Sequence, residues 1–258
     1  MTERAVYKSV GGTDLRADLF RPQGSPTGSA IVFFHGGGWR GGEPTQFHPH
    51  CRHLASLGML ALSCEYRLVG HATRPAATPF DCAADGRSAL GWVRARAGEL
   101  GLDPDRIAAG GGSAGGHVAA ACGVIDGLHE PGEEAALDSR PDALVLFNPV
   151  IDTTDSGWRA GAEMLGDRQE ELSPTHHVAP GAPPTVLFHG TADTTVPIEN
   201  AERFARLMVG AGNRCDLVPF EGEAHGFFNE GRGDGTGYER TLAATVDFLR
   251  ELGLLDAR

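Results

Sequence analysis

Apolar residues on either side of a glycine pair open the chain. Val6 to Val10 and Leu15 to Phe20 flank Gly11-Gly12-Thr13-Asp14, and this pattern predicts an N-terminal β-hairpin. Ala30-Ile31-Val32-Phe33-Phe34 is apolar without interruption, as in a strand buried on both faces. From there short apolar runs alternate with helical periodicity. Met59 to Cys64 reads as a strand. Pro79 to Ala97 reads as a helix, with Phe80, Ala83, Ala84, Leu90 and Val93 as its apolar positions. Ile107 to Ala109 and Ala143 to Phe147 are further strands, with a helix opening at Gly115 between them. Thr185 to Phe188 is a strand, Ile198 to Gly210 a helix, Cys215 to Phe220 a strand, and Tyr238 to Leu252 a terminal helix. This alternation predicts an α/β fold: a mostly parallel central sheet of about eight strands, with the hairpin at its start and helices on both faces. No repeat or linker divides the 258 residues, which read as one domain spanning 1–258. Residues 152–184 break the rhythm, being long, polar and rich in Gly and Pro. Such a segment beside a parallel sheet suits a lid or substrate-binding insertion, and a plain solvated excursion fits as well.

Lys and Arg number 22 against 34 Asp and Glu, a net charge of −12, so neither nucleic acid nor an anionic membrane is expected as a partner. Cys51, Cys64, Cys82, Cys122 and Cys215 are odd in number and scattered without a C-x-x-C, which speaks against a disulfide framework or a zinc site. Met1 to Lys8 has no apolar core of a signal peptide, so the protein is expected in the cytoplasm, or secreted if a leader was removed. His48-Pro49-His50-Cys51-Arg52-His53 offers closely spaced nitrogens for a metal, but no carboxylate is close to it in sequence. The ordinary reading is a surface helix start with Pro49 in its first turn. Neither a metal nor a cofactor is expected.

Gly111-Gly112-Ser113-Ala114-Gly115 lies between the strand Ile107 to Ala109 and the following helix. A serine held between glycines at a strand-to-helix turn has the local sequence of an exposed nucleophile, though Ser113 as a helix N-cap fits equally when taken alone. Gly110 to Gly115 also scans as G-x-G-x-x-G, but the next segment, Asp126 to Gly132, is a loop rather than a strand ending in an acid.

A serine nucleophile needs a base, an acid to orient that base, and donors for the oxyanion. Asp193, in His189-Gly190-Thr191-Ala192-Asp193, follows the strand Thr185 to Phe188. His225, in Glu223-Ala224-His225-Gly226-Phe227, follows the strand Cys215 to Phe220. Both fall at C-terminal strand ends, where such sites are built. Asp152 is a rival acid behind Ala143 to Phe147. His35-Gly36-Gly37-Gly38-Trp39 follows the strand Ala30 to Phe34, so the amides of Gly37, Gly38 and Ala114 are candidate oxyanion donors, one such donor contributing about 3–4 kcal/mol. Gly36 to Gly41 again scans as a dinucleotide fingerprint, but it runs into the turn Gly42-Glu43-Pro44 rather than a helix. Trp39 and Phe227 are candidates to line a substrate pocket, followed by Phe47, Trp158 and Phe228.

Together these motifs, with Glu65-Tyr66-Arg67-Leu68 and Thr194-Thr195-Val196-Pro197, resemble the α/β-hydrolase serine esterases. The nearest groups are the hormone-sensitive-lipase-like carboxylesterases and the acetyl-xylan/feruloyl esterases. The resemblance implies a carboxylesterase with a Ser113, His225, Asp193 triad and an acyl-enzyme intermediate. Its implied substrates are small-molecule or carbohydrate esters of short acyl groups, O-acetyl groups on carbohydrate included. The oxyanion motif already begins at residue 35, and the acid loop lacks an Asp-Pro-Leu pattern; both features look more like the smaller deacetylating and feruloyl enzymes. A peptidase of the prolyl-oligopeptidase type and a non-catalytic ligand receptor share this fold and remain alternatives. Oligomeric state is not legible.

Overall fold

The computed structural model describes residues 3–71, 76–130 and 139–256. The glycine pair Gly11-Gly12, both at positive φ, turns β1 (Glu3–Val10) back onto β2 (Thr13–Phe20) as an antiparallel hairpin. β3 (Ala30–Phe34), β4 (Leu60–Cys64), β5 (Ile107–Gly112), β6 (Ala143–Phe147), β7 (Thr185–Gly190) and β8 (Cys215–Phe220) complete one eight-stranded sheet of order β1-β2-β4-β3-β5-β6-β7-β8. β2 joins β4 antiparallel, and every pairing from β4 to β8 is parallel.

Strand residues alternate between two apolar layers, as the two-residue period of a strand requires. Val32, Phe34, Ile107, Leu144, Leu146 and Leu187 face one layer, closed by α2 (Pro79–Ala95), α4 (Ala114–Val124) and α6 (Ile198–Gly210). Ile31, Phe33, Val145, Phe147 and Phe188 face the other, closed by α1 (His48–Ser56) and α7 (Thr236–Glu251). The short helices α3 (Ala97–Leu100) and α5 (Arg159–Leu165) complete the set. Among the described residues no helix is long and apolar enough to cross a membrane.

Two boundaries differ from the pattern in the sequence. β5 runs on to Gly112 because its glycines pair where side chains would not fit: a Cβ on Gly110 would stand 2.6 Å from the Phe33 ring and 2.8 Å from the Val145 carbonyl oxygen. α1 begins with Pro49 in its first turn as expected, yet it is not a surface helix, since His50, Cys51, Leu54 and Ala55 are buried against the sheet. Its histidines also diverge. His48 Nε2 lies 2.9 Å from Asp18, a carboxylate supplied by β2, while His50 is enclosed by Phe33, Phe47, Phe147, Phe228 and Tyr238. All five cysteines are free and buried.

Candidate active site

The parallel strands end at one edge of the sheet, and the loops leaving that edge carry every candidate residue. Ser113 sits between β5 and α4 at φ 54°, ψ −121°, a conformation that non-glycine residues rarely adopt. Three backbone bonds hold it there: Ser113 N–H donates to the Phe147 oxygen, and the Ser113 oxygen accepts from His117 and Val150. The turn needs glycine beside it, because a Cβ on Gly115 would fall 2.1 Å from the Phe34 oxygen and 2.4 Å from the His35 oxygen.

The loop after β8 brings His225 over this serine, with Nε2 at 2.9 Å from Ser113 Oγ and Nδ1 at 2.7 Å from Asp193 Oδ2. A carboxylate only accepts, so Nδ1 carries the proton and Nε2 is left to accept from the hydroxyl. Asp193, at the end of β7, has its other oxygen fixed by the N–H groups of Thr195 and Val196, both at 2.9 Å. Its side chain is fully enclosed. Burial pushes its carboxyl up, but hydrogen bonds from His189, His225 and the Val196 N–H outweigh this and hold it well below the usual carboxylate range. His189 stands behind it, donating from Nε2 to the Val196 oxygen at 2.8 Å with Asp193 Oδ2 at 3.4 Å. The rival Asp152 is engaged elsewhere, accepting from Arg203 at 2.9 Å and from Thr154.

Gly37 at φ 124° and Gly38 at φ 62° form the loop after β3 on the same cleft as Ser113. Among the described residues, none accepts from the N–H groups of Gly37, Gly38 or Ala114. The loop is pinned at its root, where the Tyr66 hydroxyl donates to the His35 oxygen at 2.7 Å and the two rings stack at 4.4 Å.

The cleft encloses about 340 Å³, and its apolar lining comes from Trp158 and Phe228. Trp39 and Phe227, the residues first expected there, lie beneath it instead. Trp39, itself at φ 59°, turns its ring into the core, 0% exposed and edge-on to Trp158 and His117. Phe227 packs on Phe220 and Phe228, 5% exposed. Phe47 is likewise buried. The polar lining is formed by Gln46, Asn148, Thr195, Asn229 and Arg232, of which only Thr195 lies in a motif read from the sequence.

The family model described as BD-FAE matches residues 17–208, most of the chain and both the Ser113 and Asp193 loops. The chain belongs to the BD-FAE family. This BD-FAE chain is 36% identical over 204 residues to the probable carboxylic ester hydrolase LipM of Mycobacterium tuberculosis, covering 71% of the chain and 46% of LipM. It is 30% identical over 233 residues to esterase LipC of the same organism, covering 81% of the chain and 56% of LipC. It thus spans about half the length of these curated relatives. Among solved structures it superposes on Thermogutta terrifontis esterase 2 phosphoramylated by tabun with a TM-score of 0.93 at 46% identity, over 100% of this chain and 97% of that one. The propionate-bound form of that esterase gives a TM-score of 0.92 at 45% identity, over 100% and 96%.

Proposed function

We propose that this chain is a serine carboxylesterase that hydrolyses short-chain acyl esters through an acyl-enzyme. The observation that carries the reading is the unbroken run from Ser113 Oγ through both nitrogens of His225 to Asp193. In the first step Ser113 Oγ attacks the ester carbonyl carbon while His225 Nε2 takes its proton. The carbonyl oxygen becomes an oxyanion that accepts from the N–H groups of Gly37, Gly38 and Ala114, and the Asp193 carboxylate stabilises the imidazolium. Collapse breaks the bond to the alcohol, which leaves with the proton from His225. Water, deprotonated by the same nitrogen, then attacks the acyl carbon, and as the bond to Ser113 Oγ breaks His225 returns the proton to that oxygen, releasing the carboxylic acid.

The small cleft, walled by Trp158 and Phe228, suits a short acyl group. Propionate- and butyrate-bound forms of the Thermogutta terrifontis esterase support that size. The polar lining suits a hydroxyl-rich alcohol, so O-acetyl groups on carbohydrate belong to the proposed substrates. Residues 152–184 supply Trp158 and act in this reading as a substrate-binding insertion. A series of p-nitrophenyl esters tests the proposal: kcat/KM is expected to be highest from acetyl to butyryl and to fall for longer chains, and Ser113→Ala to abolish turnover. Hydrolysis by Ser113→Ala at the wild-type rate would refute the reading.

A further inference from the structure

Four hydrogen bonds between amides line the cleft and tie together the loops that carry the candidate oxyanion donors and base with the loop that follows β6. The Gly36 N–H donates to Gln46 Oε1 at 2.6 Å, and Gln46 Nε2 donates to Asn229 Oδ1 at 2.9 Å. Asn229 Nδ2 donates to the Gly226 oxygen at 2.8 Å, and the Gly226 N–H donates to Asn148 Oδ1 at 2.9 Å. The backbone groups fix the direction of every member. An N–H at Gly36 demands an oxygen from Gln46, and a carbonyl at Gly226 demands the NH₂ of Asn229, so each side-chain amide has one orientation that satisfies both neighbours.

Gly36 adjoins the donors Gly37 and Gly38, and Gly226 follows His225. Asn148 follows Phe147, whose oxygen receives the Ser113 N–H. Gln46 is mounted on a 3-10 helix, Pro44–Phe47, whose Phe47 ring stacks on Phe33 at 4.7 Å and whose Pro44 oxygen accepts from Ser63 at 2.7 Å. The middle of the chain therefore stands on the core, and its ends reach the loops. Gln46 and Asn229 are half-buried and line the cleft, so neither amide is needed to satisfy a deep core.

We infer that Gln46 and Asn229 are positioning residues that hold the oxyanion loop at a set distance from the base, so that the donors meet the oxygen as His225 receives the proton. The inference rests on the esterase reading of this site. Loops that drift by about 1 Å lose on the order of a hundredfold in rate, and the loss falls on interactions made in the transition state.

The experiment compares wild type with Gln46→Glu, Asn229→Asp, Gln46→Ala and Gln46→Ala/Asn229→Ala. Hydrolysis of p-nitrophenyl acetate, labelling by a fluorophosphonate and thermal unfolding are measured on each. The two acidic variants keep size and shape, yet as carboxylates they accept only: Gln46→Glu cannot donate to Asn229, nor Asn229→Asp to Gly226. Each single variant is expected to lose about ten- to hundredfold in kcat with KM changed by less than about threefold. Fluorophosphonate labelling should slow in step, and the double variant should lose no more than Gln46→Ala alone, because one broken link already frees the loops. Isosteric variants that unfold with the wild type and keep its kcat overturn the inference alone, as does a loss confined to KM. Wild-type protein that neither turns over the ester nor reacts with the probe overturns the esterase reading and this inference with it.

Discussion

His50 carries two ring nitrogens into a box of aromatic rings, and among the described residues neither finds a hydrogen-bond partner. Burial lowers its pKa to about 3, with His53 adding to the shift, and burial lowers that of His117 to about 4. A histidine held neutral in the folded state favours unfolding as soon as the free imidazole begins to protonate. Stability is therefore full above about pH 6.5 and falls as the pH drops from there toward the folded values, each group contributing up to about 1.4 kcal/mol per pH unit. Denaturant titrations at pH 7.5 and 5 are expected to show that loss, and His50→Phe to be less acid-sensitive by about 1–2 kcal/mol. Equal pH dependence in the two proteins would contradict the burial argument. At the site itself, Asp193→Asn keeps the geometry but offers no carboxylate to hold Nδ1–H, so kcat on p-nitrophenyl acetate should fall by about 10⁴. At this scale the candidate chemistry was legible where a short motif fixes the backbone, as at Ser113, Asp193 and His225. Where the direction of a side chain decides, only the candidates were legible and not their order: a positive φ turns Trp39 inward, while Trp158, ranked behind it, lines the cleft from an insertion without periodicity.

Among the elements, the junction of β5 with α4 is the least forgiving. Gly115→Ala would push a methyl into the carbonyl oxygens of Phe34 and His35, so β3 and the helix would have to separate. This variant is expected to unfold about 10 °C or more below the wild type and, even where folded, to lose the proposed turnover of p-nitrophenyl acetate, read by differential scanning calorimetry with turnover per folded molecule. Strand and helix identities were visible in the apolar periods, because burial on two faces or on one leaves a direct trace in sequence. The extension of β5 into glycines was not, since it depends on Phe33 and Val145 from neighbouring strands. Gln46 and Asn229 belong to the same class: what joins them is a meeting of loops 183 residues apart.

Across the whole molecule, the hairpin is fastened to the body by buried charge. A register shift between Val6 and Lys8 turns both Tyr7 and Lys8 inward, and Lys8 Nζ reaches Asp85 Oδ1 at 2.9 Å. Arg67 closes on the same carboxylate with Nε and Nη2, each at 2.9 Å, and Glu130 bonds both cations. The Asp85 side chain is fully enclosed, so removing it leaves two buried cations short of a partner. Asp85→Ala is expected to cost about 3–5 kcal/mol in chemical denaturation; an unchanged midpoint would show the cluster to be dispensable. Sequence alone showed the acids and bases of this cluster but not their meeting, which the topology makes by placing β1 and β2 beside β4.

That same topology delivers the loops after β3, β5, β6, β7 and β8 to one edge of the sheet, where we propose that they activate Ser113. Intact-mass and peptide analysis after exposure to paraoxon measures this directly. One phosphoryl adduct per chain is expected, on the peptide carrying Ser113, formed far more slowly in His225→Ala and not at all in Ser113→Ala. An adduct on another residue, or an equal rate without His225, would contradict it.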